Sequence, residues 1–234
     1  WYKSLLDQVV EDKFKNAKER ILSRIDLAIT RIQDGINLIR DDSIVRKSFH
    51  LANEAMLKQM AYSQSSQERD RDSLYEKPKF DNKEYWRPFQ LAFKLLIIES
   101  LVNHDSDYRD TVDLIWFPTG GGKTESYLAV SAFELIYRRI RFKEKGLGTA
   151  VIKRYTLRLL TAQQFERAAT LICALEIMRK NDEQLLLKDS FTLGLWVGEG
   201  STPNKYTDAY NKGAKELLEE LKKDPDHGNP FQLQ

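Results

Sequence analysis

The sequence predicts an α/β fold: a phosphate-loop domain with a parallel sheet flanked by helices, preceded by an N-terminal helical hairpin. Three observations predict it. The run Asp113-Leu-Ile-Trp-Phe-Pro-Thr-Gly-Gly-Gly-Lys-Thr124 reads as a buried strand, a glycine turn and a helix start. Two more apolar runs, 149–153 and 191–197, have strand composition and alternate with helical patterns. Upstream, two long amphipathic stripes flank Asp41-Asp42-Ser43. The expected division is a helical region at 1–62, a linker at 63–84 and an incomplete nucleotide-binding domain at 85–234.

At 234 residues the chain buries one sizeable core, or one core and a helical appendage. Its 41% hydrophobic and 31% charged residues are ordinary for a globular chain in water. A net charge of +2 leaves any nucleic-acid argument to local patches. Cys173 is the one cysteine, which excludes an internal disulfide and a cysteine zinc site; its apolar helical stretch predicts a small core residue. His50, His104 and His227 have no metal-ligand spacing. No apolar run approaches the roughly 20 residues of a membrane span, and no secretory leader is visible. A cytoplasmic location without a membrane partner is the default expectation. Trp1 at the start and Phe231-Gln-Leu-Gln234 at the end read as cut edges of a longer protein.

Phe14, Ala17, Ile21, Ile25, Ala28, Ile32, Ile36 and Ile39 recur at steps of three and four, which predicts one helix over 14–40. Gly35 costs that helix some stability without breaking the pattern. A second stripe runs from Ile44 to Met60. The polar stretch 63–84 predicts a linker. Arg87-Pro-Phe-Gln90 then opens an apolar helix through Leu101, with Gln90 thirty residues upstream of Gly120. A glutamine amide offers one acceptor and one donor group, the pair that matches the edge of adenine.

In the glycine run, residues without side chains allow several backbone N–H groups to face phosphates, and the positive end of the next helix faces the same anion. Lys123 reaches β- and γ-phosphates, and the Thr124 hydroxyl suits Mg²⁺. Glu125 reads as an acid favoured at a helix N-terminus. The helix that starts at Lys123 ends near Lys143 in a cationic turn that complements its dipole. Past the strand at 149–153, Arg154, Thr156 and Arg158 stand where a phosphate backbone is held. Gly198 and Gly200 leave the strand at 191–197, where a backbone can approach a ligand closely. A weak helix over 207–223 closes the reading.

The set Arg87-Pro-Phe-Gln90, Pro118-Thr-Gly-Gly-Gly-Lys-Thr124, Arg154-Tyr-Thr-Leu-Arg158 and Leu195-Trp-Val-Gly198 resembles superfamily 2 helicases, and within them the DrmA-type helicases of DISARM anti-phage systems. The resemblance implies a RecA-like domain that binds ATP with Mg²⁺. It implies that Gln90 reads adenine, that Thr119, Gly120, Gly121, Gly122, Lys123 and Thr124 form the phosphate motif, and that Lys123 and Thr124 serve catalysis. Arg154, Thr156, Arg158 and Gly198 would contact nucleic acid, DNA in the first instance. Tyr155 stands where the family has proline, and Phe117 where a general phosphate loop has its first glycine. A DrmB-like companion protein and a zinc insertion beyond Gln234 are also implied by the resemblance. No acid pair follows the 191–197 run, so these residues alone are expected to bind ATP weakly and hydrolyse it negligibly. Two alternatives stand beside the helicase reading: a phosphate-loop ATPase with no nucleic-acid role, and a nucleotide-dependent docking scaffold.

Overall fold

The computed structural model describes residues 2–8, 12–68, 86–118, 120–154, 158–195, 205–207 and 213–224. Their regular elements are helices: α1 (Tyr2–Leu6), α2 (Lys15–Asp41), α3 (Ser43–Glu68), α4 (Pro88–Val102), α5 (Lys123–Phe142), α6 (Arg158–Asn181), α7 (Glu183–Leu186) and α8 (Ala214–Lys223).

The stripe over 14–40 becomes α2, and the turn at Asp42 forms where the polar triplet predicts it. The Asp42 carboxylate accepts from the Ile44 and Val45 N–H groups at 2.7 and 3.1 Å, which caps α3. α3 runs on to Glu68, into the stretch expected to be a linker. Helix α2 lies against α4, and α3 against α5 and α6. One apolar cluster joins Val45, Ala55 and Met56 of α3 to Ile98 of α4, Leu128, Ala132 and Ile136 of α5, and Leu171 and Leu175 of α6. Gly35 has its reason at the α2–α4 crossing. A Cβ there would stand 2.0 Å from the Leu95 carbonyl oxygen, so only glycine allows the two backbones to come so close.

The expected parallel sheet is not formed: the chain is dominated by helix, and the described residues contain no strand. The α/β, RecA-like reading is thereby corrected. Residues 112–117, 149–154 and 191–195 carry no regular structure and no ladder between them. Strand composition is a local preference, whereas a sheet needs neighbours that cover both faces and both edges. Here Val112, Leu114 and Trp116 are 92%, 80% and 91% exposed, and Ile152 is 88% exposed. The third segment is secured by side chains: the Phe191 N–H donates to Glu176 Oε1 at 2.6 Å, and its ring lies 3.5 Å from the Arg139 guanidinium carbon. Residues 196 and 197 of that run lie outside the described residues.

Two more expectations are revised. Cys173 is exposed, because it falls on the outer side of α6 between the buried Leu171 and Ala174. Arg139, expected to serve only the helix dipole, is buried and donates to the Leu186, Asp189 and Ser190 carbonyls.

Two buried cations fix the frame around the glycine run. Arg31 of α2 makes a two-pronged ion pair with Asp113, at 2.6 and 2.7 Å, and lies over the Tyr108 ring. This ties α2 to the segment that leads into the glycines. Lys94 of α4 donates to Asn53 Oδ1 at 2.8 Å, beneath the Trp86 ring. Burial pulls its amine down from 10.5 to about 7.

Candidate functional site: the glycine loop and its back wall

The glycine run turns because two of its residues adopt a backbone that side chains resist. Gly120 and Gly122 have φ of 78° and 88°. Gly121 donates its N–H to the Pro118 carbonyl at 3.2 Å, closing the turn. A Cβ on Gly121 would stand 2.3 Å from Phe117 Cδ1, and one on Gly122 2.7 Å from Gln90 Nε2. Among the described residues nothing lies within 4 Å of a Cβ built on Gly120. Gly122 is also the residue that caps α5, whose first turn starts with Lys123, Thr124 and Glu125.

Helix α4 forms the wall behind this loop. Arg87 Nη1 donates to the Gly121 carbonyl and Gln90 Nε2 to the Gly122 carbonyl, each at 2.8 Å. Gln90 Oε1 accepts from the Arg87 N–H at 2.9 Å, so both groups of its amide are engaged with main chain. The Phe89 ring stacks on Phe117 at 4.0 Å between centroids. Pro88 opens α4 with a fixed φ and no N–H to leave unsatisfied, which points Arg87, Phe89 and Gln90 at the loop.

On the open side, Lys123 Nζ donates to the carbonyls of Phe117 and Pro118 at 2.6 and 2.9 Å. Its amine therefore lies across the loop on neutral acceptors, which a phosphate oxygen outbids because a charged acceptor makes the stronger bond. Thr124 is half-buried beside it. The Glu125 carboxylate is paired with Arg167 of α6; its Oε2 is buried and has no hydrogen-bond partner among the described residues. Sequence reading assigned Glu125 to the helix terminus and did not single out Arg167. The one available signal was an acid directly after Lys-Thr, and its partner is 42 residues away.

Lys153 and Arg154 close the 149–154 segment, Lys153 half-buried and Arg154 exposed. Burial, with Arg167 nearby, lowers the Lys153 amine from 10.5 to about 8. Arg158 is the first residue of α6. Thr119, Thr156 and Gly198 lie outside the described residues. The structure thus brings Gln90, the three glycines, Lys123 and Thr124 to one place, and adds Arg87, Glu125 and Arg167 to them. An open groove lined by Asp34, Asp41, Asp42, Glu99, Asp105 and Asp107 is a separate feature, and its acid lining repels polyanions. Among the described residues no group of three His, Cys, Asp or Glu side chains is placed to hold a metal ion, and no helix is long and apolar enough to cross a membrane.

No family model matches the chain. It is similar to the DISARM protein DrmA of Bacillus paralicheniformis, with 39% identity over 216 residues. The match covers 88% of this chain and 19% of that protein, so the chain spans about a fifth of its relative's length.

Proposed function

We propose that this chain is the ATP-binding part of a helicase-like motor that acts on nucleic acid in anti-phage defence. The similarity to a DISARM protein supports the defence role. The observation that carries the ATP reading is Lys123, whose amine rests on two loop carbonyls above a pair of positive-φ glycines. The reading stands on this loop and its α4 wall and needs no sheet.

The residues present fit a nucleoside triphosphate. Among the described residues nothing crowds a Cβ at Gly120, Gly122 caps the N-terminus of α5, and Lys123 has acceptors that it can exchange. Lys123 would hold the β- and γ-phosphates, Thr124 the Mg²⁺, and the main chain of residues 119–122 the remaining oxygens. Bound there, ATP supplies the free energy of phosphoanhydride hydrolysis. Arg87 and Gln90 engage the Gly121 and Gly122 carbonyls, which holds the loop against α4. Gln90 serves adenine recognition only by giving up a main-chain bond. Arg154, with Thr156, Arg158 and Gly198, would contact the phosphates of a DNA strand. A DrmB-like protein is the proposed companion.

The test uses the complete protein. Lys123→Ala abolishes DNA-stimulated ATP hydrolysis and lowers triphosphate affinity about a hundredfold, roughly 2.7 kcal/mol. Unchanged stimulated hydrolysis in that variant overturns the motor reading. Hydrolysis that DNA never stimulates favours the plain ATPase instead.

A further inference from the structure

The wall behind the glycine loop decides what the loop can recognise. A glutamine tells adenine from other bases by two hydrogen bonds at once, one donated by its amide nitrogen and one accepted by its amide oxygen. Gln90 has given both groups to main chain. Its Oε1 accepts from the Arg87 N–H at 2.9 Å, and its Nε2 donates to the Gly122 carbonyl at 2.8 Å.

The first of these bonds belongs to the helix itself. Gln90 is the third residue of α4, and a glutamine there reaches back to the N–H of the residue before the helix. The second bond fastens α4 to the loop. Each amide group keeps one further bonding position, a hydrogen on the nitrogen and a lone pair on the oxygen. The side chain is nevertheless 5% exposed, and the Gly122 backbone is so near that a Cβ there would stand 2.7 Å from Nε2. A base meets this amide only if α4 and the loop part. Parting them breaks as many main-chain hydrogen bonds as the base could form, so the exchange gains nothing.

The groups beside Gln90 do not supply another reading. Arg87 Nη1 is committed to the Gly121 carbonyl, and the Phe89 ring, stacked on Phe117, carries no hydrogen-bonding group. On the open side, the Lys123 amine rests on two carbonyls that a phosphate oxygen replaces. Recognition is therefore concentrated on the phosphates, which every nucleoside triphosphate shares.

We propose that the glycine loop takes nucleoside triphosphates as a class, by the triphosphate and its Mg²⁺, without selecting the base. Gln90 is then the fastener between α4 and the loop rather than the reader of adenine. The inference rests on the phosphate-loop reading above.

The experiment is titration calorimetry on the complete protein with the non-hydrolysable β,γ-imido forms of ATP, GTP, CTP and UTP, each with Mg²⁺. The four wild-type affinities fall within about fivefold of one another, whereas a site that reads a base through buried hydrogen bonds separates them by far more. Gln90→Ala frees the loop from α4 and lowers all four by a common factor of roughly ten. Gln90→Glu keeps the acceptor for the Arg87 N–H and loses the donor to Gly122; it serves where the alanine variant unfolds, with the same uniform loss. A wild-type preference beyond about fivefold for any base overturns the inference. So does a variant that loses affinity for the adenine form while the guanine form binds as before. Lys123→Ala tells the two failures apart. If it loses all four ligands while wild type prefers one base, only the inference falls; if it binds all four as wild type does, the loop reading falls and the inference with it.

Discussion

The two ends of helix α5 use the same chemistry in opposite surroundings. At its far end Arg139 donates to three main-chain carbonyls, of Leu186, Asp189 and Ser190, at 2.9, 2.5 and 3.0 Å. At its near end Lys123 donates to two, of Phe117 and Pro118. Arg139 is 5% exposed with the Phe191 ring against it, while the Lys123 bonds are exposed to solvent. Solvation decides what each cation is for. A buried donor has no replacement for its partners and acts as a fixed bolt. An accessible donor exchanges a neutral carbonyl for water or a phosphate at little cost.

That contrast breaks most visibly at Arg139. Arg139→Ala leaves three carbonyls short of a donor and uncovers the Phe191 ring, at a cost of more than about 3 kcal/mol. Chemical denaturation measures it, and a loss below about 1 kcal/mol removes the distinction between the two ends. At the near end the proposed ATP binding places the effect on function. Lys123→Ala changes stability by less than about 0.5 kcal/mol in the same measurement, alongside the hundredfold loss of triphosphate affinity.

Lys94 sharpens the comparison as a buried cation with a titratable proton. Burial disfavours its charged form, so the folded chain releases the proton near pH 7 and the unfolded chain near the ordinary 10.5 of lysine. The Trp86 ring, 3.5 Å from Nζ, opposes this by attracting the cation, but burial prevails. Between those pH values the unfolded state binds more protons, so stability rises with pH, and below about pH 7 the full cost is present. Lys94→Met removes a rise of up to roughly 3 kcal/mol between pH 7 and 10. Lys153 supplies a smaller rise of its own above about pH 8, which the Met variant retains. Thermal melts across that range test the sign. A small stability effect belongs to Arg87 as well, whose bond to the Gly121 carbonyl is exposed. Arg87→Ala costs stability less than about 1 kcal/mol.

The amphipathic stripes of α2 and α3 are local patterns of 3.6-residue period, legible because they require only that one face find some cover. The Asp42 cap and the glycine turn are legible for a similar reason, since each is a demand made by a few consecutive residues. Gln90 and Lys123 were found as residue types, but not their partners. The acceptors of the Gln90 amide became known only when α4 was seen behind the loop.

By itself the sequence determined where helices α2, α4, α5 and α6 run, where α3 starts, where the chain turns at Asp42, and which residues make up the glycine run. Tertiary structure alone decided that 112–117 and 149–154 form no ladder, that Arg139 is buried, and that Glu125 meets Arg167. The physical reason is range. A helix closes its hydrogen bonds within four residues, whereas a sheet, a buried guanidinium and an ion pair 42 residues apart each need a partner that only the folded chain brings near.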